Sequence, residues 1–107
     1  MKENNYIEPH DKKDYISIKG ATIDDKMFYN GSCFILISYW TFHDNMCINN
    51  TIRLVVNNDT IIHDEYGRRN SFCDLKINMI VDVDISVFMT MSIPPQAIAY
   101  RVIIQCN

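Results

Sequence analysis

A chain of 107 residues, 48% of them apolar, reads as one domain with enough apolar residues for a real core. Its formal net charge of −3 argues against nucleic acid as the main partner, because phosphate binding needs a concentrated basic patch. The longest apolar run, residues 33–37, falls far short of a membrane-spanning helix, so no membrane partner is expected.

Residues 1–13 are polar, contain Pro9 and lack the apolar core of a signal peptide. They are expected to form a flexible or edge segment ahead of a single β domain spanning 14–107. With Met1 as the native start, this places the protein in the cytoplasm. Residues 15–23 read as a first strand, with Ile16 and Ile18 on one side, Ser17 and Lys19 on the other, and a bulge at Gly20. Asp24-Asp25 is expected to turn. A short strand then runs to Tyr29 and ends at Asn30-Gly31, the strongest hairpin signal in the chain. Residues 33–42 are apolar on both faces and predict a central strand, with Trp40 anchoring the core. A loop over 43–50 follows. Residues 51–56 and 60–63 are expected to form a hairpin around Asn57-Asn58-Asp59, and 63–71 an exposed polar loop.

The clearest pattern lies in residues 75–91. Leu75, Ile77, Met79, Val81, Val83, Ile85, Val87, Met89 and Met91 alternate with mostly polar neighbours. Strand side chains point alternately to opposite faces, so this predicts a β segment with one apolar and one wet face. It reads as one strongly bent strand, or else as two strands joined by a phase-preserving loop. Ile77, Val81, Val83, Ile85 and Val87 would face inward, and Lys76, Asn78, Asp82, Asp84 and Ser86 outward. Ile93-Pro94-Pro95-Gln96 is a rigid turn. A last strand follows, with Ile98, Tyr100, Val102, Ile104 and Cys106 inward. The expected fold is all-β: a single antiparallel β-sandwich or strongly curled sheet of six to eight strands.

No nucleophile elbow, phosphate loop or dinucleotide fingerprint occurs, so neither an enzyme nor a cofactor is expected. His10, His43 and His63 each adjoin an acid, but adjacent strand residues point apart, and no metal site is expected. Cys33, Cys47, Cys73 and Cys106 form no Cys-x-x-Cys pair and read as reduced, mostly buried thiols. Asp82 and Asp84 would sit about 6–7 Å apart on one face. With Asp64 and Glu65 they form an acidic surface suited to a basic protein partner. Tyr66, Arg68 and Arg69, in the most polar loop, are a second contact region.

These features imply a small acidic protein-binding module that blocks its partner. The profile, though no motif, is similar to that of toxin-neutralising immunity proteins, for which the partner is a basic toxin. The alternative is a secreted or surface β-sandwich that binds a glycan or receptor. It is motivated by the four cysteines, the sequons at Asn30, Asn49 and Asn58, and the aromatics Tyr29 and Tyr66.

Overall fold

Turn chemistry decides where the strands of this chain stop. In the computed structural model, which describes residues 14–106, Asn30 and Gly31 have φ of 51° and 77°. Two successive positive φ values make the tight turn whose twist matches an antiparallel hairpin. Asp44 and Asn45, at 51° and 62°, repeat it. Both residue types tolerate the left-handed region. The segment 43–50, expected as a loop, is therefore the tip of a second long hairpin.

Six strands result: β1 (Tyr15–Tyr29), β2 (Ser32–His43), β3 (Met46–Val56), β4 (Ile61–Asp64), β5 (Ile80–Ser86) and β6 (Gln96–Ile104). A single turn of 3-10 helix covers Phe72–Asp74. The strand order is β3-β2-β1-β5-β6-β4, and β3 also pairs with β6. That extra pairing is parallel and joins Arg53, Leu54 and Val55 to Gln96, Ala97 and Ile98. It closes β1, β2, β3, β6 and β5 into a barrel, with β4 added beside the second half of β6. The fold is all-β as expected, but a five-stranded barrel plus one strand replaces the expected sandwich or curled sheet. β3 and β4 do not form the expected hairpin. Each lies parallel to β6, and the turn between them is held by the Asp59 N–H donating to Asn57 Oδ1 at 2.9 Å.

β1 runs straight through the expected Asp24-Asp25 turn, where only its register shifts. Its first half pairs with β5 and its second half with β2. The change of partner falls at the predicted bulge: the register with β5 slips between Ile18 and Ala21, and Gly20 has φ of 69°. Glycine, without a Cβ, adopts that conformation at no steric cost.

Of residues 75–91, only 80–86 form a strand, which overturns both the single bent strand and the two-strand alternative. Asn78, at φ 76°, sits in a turn closed by the Met79 N–H donating to the Lys76 carbonyl at 3.2 Å. Inside β5 the expected alternation holds: Val81, Val83 and Ile85 are buried, while Asp82 and Asp84 are half-buried. Outside it the phase fails. Ile77 and Val87 are exposed, whereas Ser86 is buried, accepting from the Ile98 N–H and donating to the Phe88 carbonyl. A register shift between β5 and β6 inverts the phase of the first half of the last strand as well, while Val102 and Ile104 face inward as expected. Ala97 and Ala99 face inward with Val102 and Ile104, while Ile98 is exposed and Tyr100 and Cys106 are half-buried.

The core consists of aliphatic side chains from every strand, among them Ile23, Ile35, Ile37, Leu54, Val83, Ile85 and Val102. Trp40, expected among them, is 68% exposed. The expectation for residues 1–13 falls outside the described residues. Truncating the fully buried Ile85 to Ala should cost about 2–5 kcal/mol. Met91→Ser, at a fully exposed position, should change stability by about 0.5 kcal/mol or less. Urea unfolding of both variants checks the inside-outside assignment.

Candidate functional site

The residues expected to contact a partner fall in two places. Asp84 sits on the outer face between Ser17 of β1 and Arg101 of β6, and Asp82 sits beside Ile103. They share a face, as strand spacing requires. Both are tied to their neighbours. The Ser17 hydroxyl donates to Asp84 Oδ1 at 2.6 Å. The Gly20 N–H donates to Asp82 Oδ1 at 2.8 Å, and Gln105 Nε2 donates to Asp82 Oδ2 at 2.7 Å.

Asp64 pairs with Ile104, one position along β6 from Ile103, so it lies on the opposite face from Asp82. It is buried and organises the loop after β4. Its Oδ1 accepts the N–H groups of Tyr66 and Arg68, both at 2.9 Å, and its Oδ2 accepts Arg68 Nε at 2.7 Å. Burial alone would raise the Asp64 carboxyl. The hydrogen bonds from Arg68 and Tyr66 and the guanidinium charge outweigh it and hold the group below its ordinary value. Glu65 Oε1 accepts the Cys106 N–H at 3.1 Å. Tyr66 is exposed, with the Arg68 guanidinium 5.6 Å from its ring, and Arg69 bridges back to His63. Tyr66, Arg68 and Arg69 thus cluster in one loop, but the four carboxylates do not merge into one acidic surface.

The opposite end of the barrel is different. Tyr15 of β1 pairs with Ser86 at the end of β5, and the Arg53 N–H donates to the Pro95 carbonyl at 2.9 Å. These contacts bring the start of β1, the β5–β6 loop and the projecting part of the β2–β3 hairpin to one end. Large apolar side chains stand exposed there, among them Trp40, Phe42, Met46 and Ile48 on the hairpin, and Val87, Phe88, Met91 and Ile93 on the loop. Met91 and Ile93 are 100% and 99% exposed. In a chain that is 21% charged, residues 85–100 contain no Asp, Glu, Lys or Arg. Residues 33–52 contain only Asp44, which lies 3.3 Å from His43 Nε2 at the hairpin tip.

Two hollows flank this end. One, of about 370 Å³, lies beneath the β5–β6 loop and is lined by Val55, Phe88, Met89 and Ile98 among others. The other, of about 350 Å³, opens where β1 leaves β2, between residues 16–19 and 39–41. Burial of Tyr39 in its wall pushes the phenol pKa up.

Among the described residues, no cluster of three His, Cys, Asp or Glu side chains is placed to hold a metal ion. The four cysteines are unpaired but, against expectation, none is buried: Cys33 and Cys106 are half-buried, and Cys47 and Cys73, at a hairpin and in a surface turn, are exposed. The sequence carries one sign of the apolar end, the charge-free run at 85–100. Exposure itself is invisible in it, because Trp40 and Phe42 have the composition of a core strand. No protein-family model matches the chain, and no curated protein is significantly similar to it.

Asp64 generates a pH prediction. Its folded pKa lies below its unfolded one, so the folded state holds fewer protons as pH falls through the carboxylate range. The stabilisation is fully present above the unfolded value, about 3.9, and is lost as pH falls towards the folded value. Asp64→Asn should lower Tm at pH 7 and flatten the acid limb of the Tm profile below about pH 4. Circular dichroism melts from pH 7 to pH 2 measure both, and parallel limbs would contradict the assignment.

Proposed function

We propose that this chain is a protein-binding module that blocks a protein partner through the apolar, charge-poor end of its barrel. One observation carries the reading: large apolar side chains from two separate segments gather at one end, where charge is almost absent. Monomers rarely leave such a surface uncovered. Interface cores are depleted of charge and enriched in aromatic residues and Met, the types found at this end. Trp40, Phe42, Phe88 and Met91 are the anchors in this reading.

A five-stranded barrel of the OB type can bind oligonucleotides or oligosaccharides over its second and third strands. That analogy does not extend to nucleic acid here. Stacking aromatics would need cations tracking the phosphates, and the projecting hairpin has none. The net charge of −3 likewise disfavours an anionic lipid surface.

The partner would be basic around an apolar groove. Asp82 and Asp84, with the overall negative charge, would speed its approach, and the apolar end would close on it. Glu65, Tyr66, Arg68 and Arg69 would form a second, weaker contact near Asp64. Acting in the cytoplasm, such a module would block its partner as an immunity protein blocks a toxin.

Affinity capture from the native host tests this. Wild-type protein should recover one specific protein, and Phe88→Asp with Met91→Asp should weaken that binding about 30-fold or more, with Tm unchanged. Equal capture by the double variant would overturn the assignment of this end as the contact surface.

A further inference from the structure

We infer that the cleft beside β2 is a strand-addition site, where the partner pairs an extended segment with the open edge of residues 39–43 and sets a carboxylate against Lys19. The inference rests on the protein-binding reading of this end and specifies the form its ligand takes.

β1 and β2 pair from Tyr29 and Ser32 as far as Thr22 and Ser38, and then part. β1 bends at Gly20 onto β5, while β2 continues with β3 to the tip at His43. Among the described residues, no strand pairs with residues 39–43 on the side away from β3, nor with residues 15–19 on the side away from β5. Backbone N–H and C=O groups along such edges lie in the plane of the sheet, open to another strand. Edges are usually blunted by Pro, Lys or a covering segment. β4 is covered in this way: the Asp64 N–H donates to the Arg68 carbonyl and the Asn70 N–H to the Ile62 carbonyl, both at 2.9 Å. The β2 edge, Tyr39-Trp40-Thr41-Phe42-His43, has neither Pro nor Lys.

The cleft between the edges, about 350 Å³, is at the small end of ligand sites. Its walls are Ile16, Ile18, Tyr39 and Trp40, and Lys19 is its only charged lining residue. None of the described residues pairs with Lys19, and the Ser17 hydroxyl is already committed to Asp84. Apolar walls around one unmatched cation fit an extended peptide with apolar side chains flanking a single Asp or Glu. Main-chain hydrogen bonds would give it affinity and the alternate side chains specificity.

The test selects from a displayed library of random nonapeptides on the full chain, followed by amide exchange on the bound complex. Enriched peptides should alternate apolar residues around one acidic position and slow exchange of the Trp40 and Phe42 amides, which face away from β3, about tenfold or more. With Lys19→Glu, at an exposed position, the enriched residue should become Lys or Arg. Absence of enrichment, protection elsewhere, or an acidic preference that survives Lys19→Glu would each overturn the inference. So would protection already present in the free chain and lost on deleting residues 1–13, because the site would then belong to the chain's own leading segment. Any of these failures, with the Phe88→Asp and Met91→Asp change still abolishing capture of the host protein, would sink strand addition alone. Failure of both would remove the protein-binding reading as well.

Discussion

One strand, β1, has to belong to two halves of the barrel, and the bulge at Gly20 is what permits it. Fifteen residues of straight strand would extend about 50 Å, longer than a domain of this size can use. The left-handed residue bends the strand, and the Asp82 carboxylate holds the bend by accepting the Gly20 N–H. The same carboxylate reaches Gln105 just past β6, so one side chain of β5 ties the strands on either side of it. With β1 bent, β5 and β6 swing round until β6 meets β3, and the ribbon closes. The cleft is the other side of the same bend: before Thr22, which pairs with both β2 and β5, the start of β1 stays with β5 and parts from β2.

Closure also accounts for the uneven distribution of charge. The carboxylates at 64, 65, 82 and 84 have partners on neighbouring strands or loops and stabilise the sides and one end of the barrel. Residues 33–52 and 85–100, which carry almost no charge, are gathered at the other end beside the start of β1, where Asp14 and Lys19 lie. No barrel strand pairs with this hairpin extension except its own two halves, so nothing in the fold requires Trp40 or Phe42 to be large. In the proposed reading, these exposed aromatics are explained by the partner they contact.

The parts legible in the sequence were local. Asn30-Gly31 and Gly20 announced themselves because their backbone conformations favour particular residue types. Val81, Val83 and Ile85 were legible because period-two alternation is a local property. The alternation misled beyond Ser86 because apolar residues in an exposed loop look the same as those in a strand. The β3–β6 seam joins residues some forty positions apart and leaves no local trace, which is why a sandwich was the natural expectation. The outward phase of Ile98 came from a bulge that no residue in β6 marks. At the site, the shared face of Asp82 and Asp84 was readable, but their partners Ser17, Gly20 and Gln105 were not, being distant in the chain.

Closure of the barrel is measured most directly at its seam, by nuclear Overhauser contacts between the backbone protons of residues 53–55 and 96–98. A closed barrel gives contacts in the parallel register Arg53 with Gln96, Leu54 with Ala97 and Val55 with Ile98, and no ladder between β3 and β4. A ladder between β3 and β4, with the seam contacts missing, would contradict closure. It would also undo the gathering of the hairpin and the β5–β6 loop at one end.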